Sequence, residues 1–164
     1  YLPNGNPQPG PKFDYKLRWM ARLHRHAQPL VGLSHPAVLL GDFNVIPTDA
    51  NVYDTKAFRK DALMQPAVRE AYAALLAQGW TDALRDVFGD AQVYTFWDYF
   101  RHHAERDRGL RIDHLLLNPV LAGRLKSAGV DRWVRLKDKA SDHAPTWIEI
   151  EKRSGKGNLR GAGN

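Results

Sequence analysis

Three short stretches of the chain set acids or amides against apolar runs. "GDFN" follows "AVLL" and offers Asp42 and Asn44. "RIDHLLL" carries Asp113 inside an apolar segment. "SDHAPTW" places Asp142 and His143 beside an alternating one. A lone buried carboxylate costs several kcal/mol unless it is paired or holds a cation. Each stretch taken singly has an ordinary explanation. Gly, Asp and Asn make turns. Asp113 can pair with Arg111, two residues away on the same strand face. "SDH" can cap a helix or lie in a surface loop. Taken together, several carboxylates and a His, with no Cys anywhere, suit a hard cation such as Mg²⁺ and general acid–base work.

The elements that must position these residues are legible in outline. The opening is rich in Pro and Asn and reads as a loop. Apolar residues at Leu17, Met20, Leu23 and Ala27 predict a helix over 15–30. "PAVLLG" predicts a short buried strand, and 45–60 reads as irregular. Pro66 suits a first helical position, and Val68, Tyr72, Leu75 and Leu76 form a stripe that ends at Gly79. Thr81 is the expected cap of a short helix up to Gly89. "VYTFWDYF" and "LRIDHLLL" read as strands. "NPVLAGRLKSAG" reads as a helix with an Asn cap. "VDRWVRL" and "APTWIEI" alternate and read as strands. Mixed strands and helices give an α/β or α+β class.

Composition narrows the field. The 164 residues suffice for one domain with a sizeable core, and 43% hydrophobic with 26% charged residues is an ordinary globular composition. No apolar run approaches a membrane span, so no membrane partner is expected. The absence of Cys excludes disulfides and thiolate chemistry and fits a reducing, cytoplasmic setting. No basic-then-apolar leader is visible. A net charge of +6, with dense basic runs at 101–111 and 152–160, favours a polyanionic partner such as nucleic acid.

"YLPNG", "GDFN", "GLRIDHLLL" and "SDHAP" occur in the order and rough spacing of the exonuclease III family. These are apurinic/apyrimidinic endonucleases of the endonuclease–exonuclease–phosphatase superfamily. The resemblance runs over about Tyr1 to Ile150, and "RIDHLL" after "FWDY" is the part most particular to the DNA-repair branch. It implies a sandwich of two sheets flanked by helices, with the site at one rim. It implies Mg²⁺ (or Mn²⁺) and duplex DNA with abasic sites or 3′ ends. By this resemblance His143 is the base-like residue beside the scissile phosphate, oriented by Asp113. Asp42 activates the attacking water or protonates the leaving oxygen. Asn44 bonds the phosphate or orients the water, and Tyr1 bonds the phosphate. Asp142, with His143 and Asp42, helps hold the metal. Asn4 contacts the DNA backbone. Phe96 or Trp97 packs against the base-less sugar, and Arg101 reaches the backbone.

The resemblance starts partway through the family's domain, and the chain does not open with Met. Residues 1–152 are therefore expected to be the C-terminal portion of a four-layer, two-sheet domain whose N-terminal portion is absent, and 153–164 a basic flexible tail. The complete protein is expected to be a monomer. Three functions follow. One is a Mg²⁺-dependent abasic-site endonuclease and 3′ exonuclease. Another is a superfamily phosphodiesterase acting on a lipid or sugar phosphate. The last is an inactive fragment that only binds nucleic acid, because the family's principal metal-binding Glu would be missing.

Overall fold

Alternation along one strand organises the molecule. In the computed structural model, which describes residues 1–152, strand β1 (Val38–Asp42), strand β3 (Asp113–Leu117) and the two-residue β2 (Thr81–Asp82) form an antiparallel sheet in the order β1-β3-β2. Strands β4 (Leu125–Val130) and β5 (Thr146–Ile150) form a second antiparallel pair. Successive side chains leave a strand on opposite faces. Leu115 and Leu117 therefore face the β4–β5 pair, where they pack with Ala128, Ile148 and Ile150. Leu116 faces the other way. It packs with Met20 and Ala27 of helix α1 (Pro11–Val31) and with Val68 and Tyr72 of helix α3 (Pro66–Leu76). The layers are helices, sheet and sheet. The expected tail at 153–164 lies outside the described residues.

Several expectations hold. α3 begins at Pro66, and α1 follows its apolar stripe but starts one turn earlier, because Pro11 seats in the first turn. "VLLGD" and "TWIEI" are strands. Helix α4 (Ala83–Phe88) ends at Gly89 as read, but its cap is Asp82, whose carboxylate accepts from the Arg85 N–H, and not Thr81. Asp54 caps a one-turn helix α2 (Thr55–Phe58) within the stretch read as irregular.

Others do not. "NPVLAGRLKSAG" is helical only as α5 (Pro119–Ala122), capped by Asn118, and the rest is β4. The cap and Pro act over one turn, whereas pairing with β5 decides the residues beyond it. "VDRWVRL" is not a strand: a one-turn helix α6 (Arg132–Arg135) puts the Arg135 Nε 3.0 Å from the Trp97 carbonyl that accepts from it. "VYTFWDYF" forms no regular strand. Phe96 makes isolated bridges to Leu110 and to His143. In "LRIDHLLL" the ladder begins only at Asp113.

Strand β1 lies at the end of its sheet, and Leu40, on the face it shares with Leu115, is 63% exposed. Among the described residues no helix is long and apolar enough to cross a membrane.

Candidate active site

The register of β1 and β3 sets Asp42 opposite Asp113. Both carboxylates thus leave the sheet on one face, at its end. The "SDHAP" segment crosses there. The Trp97 N–H donates to the Asp142 carbonyl at 2.8 Å and the Ala144 N–H to the Thr95 carbonyl at 2.9 Å. This pins His143 beside β3, and its Nδ1 donates to Asp113 Oδ2 at 2.8 Å. Asp113 is held in turn, since its N–H and that of Ile112 both donate to Thr95 Oγ1, at 3.1 and 3.2 Å.

After Asp42 the chain turns sharply. Asn44 adopts the left-handed conformation at φ 49°, which Asn tolerates better than most residues. Its N–H donates to Asp42 Oδ1 at 2.7 Å. Its side-chain Nδ2 donates to Asp42 Oδ2 at 3.0 Å and to the Leu2 carbonyl at 2.9 Å. The N-terminal segment lies against this turn: the Leu2 N–H donates to the Asp42 carbonyl at 2.9 Å, and Asn4 Nδ2 donates to Asn44 Oδ1 at 3.3 Å. Gly41 sits at φ 137°, a backbone conformation that residues with a Cβ rarely adopt.

These groups surround a cavity of about 390 Å³ whose wall includes Tyr1, Asn4, Asp42, Asn44, Phe96, Asp142 and His143. Asp113 stands behind His143. The hydrogen bond from Asp113 raises the His143 pKa above the ordinary value, against the opposing effect of burial. Burial raises the Asp42 carboxyl as well. The Asn44 N–H works against that rise, and the neighbouring Asp113 charge adds to it. With Asp113 engaged at Nδ1, the Nε2 edge of His143 is the one available to exchange a proton. The cavity thus brings together two proton-handling groups of different chemistry beside an aromatic ring.

Several expected roles change with the geometry. Asn44 is 4% exposed and both N–H groups of its amide are engaged inside the protein. It lines the cavity and bonds both oxygens of the Asp42 carboxylate. Asn4 lines the cavity, yet its side chain bonds Asn44 and Asn6. Phe96 lines the cavity with its ring edge-on to His143 at 5.1 Å. Trp97 is 2% exposed in a cluster with Tyr94, Ala104 and Ala144, and is a core residue. Arg101 is exposed and outside the cavity wall, whereas Arg108 and His103, next along the same loop, are part of it. Tyr1 is on the wall and largely exposed. Arg111 does not pair with Asp113. It bonds Asp82 at 2.7 Å in the core, together with Tyr72 and His114.

Asp42, Asp142 and His143 share the cavity, but among the described residues no three His, Asp or Glu side chains form a cation cage. His143, with Nδ1 engaged by Asp113, offers only its Nε2 edge to a cation. Four carboxylates line the cavity; Asp61 and Asp98 each accept a backbone N–H of their own loop, which leaves Asp142 and, beside its bonds from Asn44, Asp42 as the candidate oxygen donors for a hard cation. Two carboxylates suit Mg²⁺ when water and a substrate phosphate complete its shell. Reading by type missed Thr95, Tyr53 and Arg108. For Arg108 the basic run at 101–111 was the only signal.

Known proteins resemble this chain in sequence and in fold. The profile of the Endonuclease/Exonuclease/phosphatase family matches residues 2–143. Exodeoxyribonuclease III of Haemophilus influenzae is 31% identical over 159 residues, covering 92% of this chain and 60% of that protein. The solved structure of the 3′ phosphatase NExo from Neisseria, bound to a product DNA hairpin, superposes with a TM-score of 0.88 at 37% identity, covering 93% of this chain and 59% of that one. An AP endonuclease from Archaeoglobus fulgidus gives 0.88 at 33% identity, covering 93% and 60%. The chain spans about 60% of the length of these relatives. Alike in sequence and in fold across nearly all its described length, the chain belongs to the endonuclease/exonuclease/phosphatase family.

Proposed function

We propose that the whole protein is a divalent-metal-dependent DNA-repair nuclease that cleaves phosphodiesters at abasic sites in duplex DNA and removes nucleotides from 3′ ends. Residues 1–152 are its C-terminal portion. The observation that carries this reading is the Asp113–His143 pair facing a cavity it shares with Asp42 and Phe96. Hydrolysis of a phosphodiester requires charge neutralisation, a deprotonated water and a protonated leaving oxygen. His143, held by Asp113, exchanges a proton at Nε2 beside the phosphate. Asp42, kept in place by Asn44, takes the proton of the attacking water or gives one to the substrate's leaving oxygen. Phe96 offers its ring to the sugar that lacks a base, and Arg108 offers positive charge to the backbone. When bound, Mg²⁺ would neutralise phosphate charge, with Asp42 and Asp142 as this chain's contribution to its shell.

A second reading is favoured by the lack of a three-ligand cation cage among the described residues and by the exposed Leu40 edge. In it, the 164-residue chain alone binds DNA but turns over poorly and self-associates. Both readings are tested on a duplex with one abasic site. The whole protein should nick it in Mg²⁺ and stop in excess chelator, and the 164-residue chain should nick it far more slowly. Equal cleavage in chelator overturns the metal dependence. Preference for a small phosphorylated sugar overturns the DNA reading. A monodisperse chain with full activity overturns the second.

A further inference from the structure

We propose that Lys16 is a positioning residue for the Asp42–Asn44 turn, holding the carbonyls of Asn44 and Asn4 from inside the protein so that the strand end and the N-terminal segment keep one relative placement. The proposal rests on the functional reading above for its kinetic consequence, and on geometry alone for its structural one.

Lys16 lies on the second turn of α1 and is 0% exposed. Lys is almost never fully buried unless paired. Among the described residues Lys16 makes no ion pair. Its Nζ donates to the Asn4 carbonyl at 2.9 Å and to the Asn44 carbonyl. A Met or Leu at this place would fill the same space without the cost of burying an ammonium. What Lys adds is its donors. The left-handed turn at Asn44 points the carbonyl of that residue into the interior, where it must be paired. Burial lowers the Lys16 pKa to about 8, opposed by the charges of Asp61 and Asp42. The neutral amine still has two N–H donors for two carbonyls, so the clamp persists in either state. Gly5 shows that the N-terminal segment is shaped around this stem. It sits at φ 91°, and a Cβ there would lie 2.7 Å from the Lys16 Cδ.

Lys16 is not part of the cavity wall, so its effect must pass through Asn44, whose two N–H groups aim the Asp42 carboxylate. Misplacement of a reacting group by about 1 Å can cost 10²-fold in rate.

The test is Lys16→Met in the whole protein, which keeps the stem and removes the donors. We expect kcat on abasic duplex to fall about 10- to 100-fold with KM within about twofold. We expect Lys16→Gln, with a shorter reach but an N–H₂ group, to recover part of the loss. The Asn44 amide should exchange faster with solvent in Lys16→Met than in the parent. Leu75→Ala, a buried change in the same core, is the control: matched in lost melting temperature, it should keep kcat. An unchanged kcat in Lys16→Met, or an equal loss in Leu75→Ala, overturns the proposal. If Lys16→Met does not fold, Lys16→Gln carries the comparison. If the parent does not cleave abasic DNA, the functional reading fails, and Asn44 exchange still decides the role of Lys16.

Discussion

Asp113 and His114 are neighbours in β3, and each belongs to an Asp–His pairing, yet the two pairings behave in opposite ways. Asp113 stands behind the cavity wall and holds His143 at 2.8 Å, which raises the His143 pKa. His114 faces the helices, 1% exposed, between the Arg111 guanidinium and the Val45 carbonyl. Burial and then the Arg111 charge bring its pKa down to about 4, although Asp82 lies 3.9 Å away. Burial also pushes the Asp82 carboxyl up, but Arg111 and His114 hold it below its ordinary value overall. The same two residue types make a proton-exchanging pair where water reaches one edge, and a neutral structural ring where a guanidinium claims the carboxylate first.

The largest effect should come from breaking the outer pair. His143→Ala and Asp42→Asn in the whole protein should each cut kcat on abasic duplex about 10²–10⁴-fold while leaving the denaturation midpoint near that of the parent. Asp113→Ala should match His143→Ala, and the double variant should be little worse, because the two act as a unit. Near-normal turnover in either single variant would remove that residue from the chemistry.

Breaking the inner pair should do the reverse. Arg111→Met strands the Asp82 carboxylate at low exposure and should cost about 3–5 kcal/mol of stability. Urea titration measures this. A midpoint shift below that of an ordinary surface change would mean that the inner network is not fully desolvated.

The smallest effect, and the sharpest contrast, is in pH. Above about pH 6.5 His114 is neutral whether the chain is folded or not. As pH falls toward about 4, the unfolded ring takes a proton that the folded one refuses, so stability is lost across that window, by about 3 kcal/mol in all. His114→Gln should flatten this part of the stability profile relative to the parent, and an unchanged slope would contradict the assignment. The outer pair has the opposite sign. Asp113→Asn replaces the charged acceptor that raises His143 with a neutral amide, so the His143 limb of the kcat profile should move to lower pH.

The outer site was readable because its residues interrupt apolar runs: Asp42, Asp113 and His143 are conspicuous by type and fall together when the strands pair. The inner network was not. Arg111 sits between Leu110 and Ile112 with Asp113 nearby, and nothing local shows that its partner lies 29 residues back in the chain. Phe96 and Trp97 could not be told apart, because a two-residue period names a face only when a neighbouring strand fixes it, and this segment has only isolated bridges. Lys16 left a trace that went unread. The stripe Met20, Leu23 and Ala27, carried one turn back, lands on it. The strand at Leu125–Val130 was hidden by strong helix-start signals whose reach is a single turn.

One consequence lies in the alternation of acid and imidazole along β3. If that strand paired with β1 one residue out of register, every side chain would change face. His114 would emerge at the rim. Asp113 would sink toward Phe43 and Tyr72, the rings that now surround His114, in a place suited to a neutral ring. The slipped sheet would bury a carboxylate among aromatics and give up the bond from His114 to Val45. Adjacent residues with opposite demands therefore act as proofreading during assembly: a core that closes has already set Asp42 opposite Asp113.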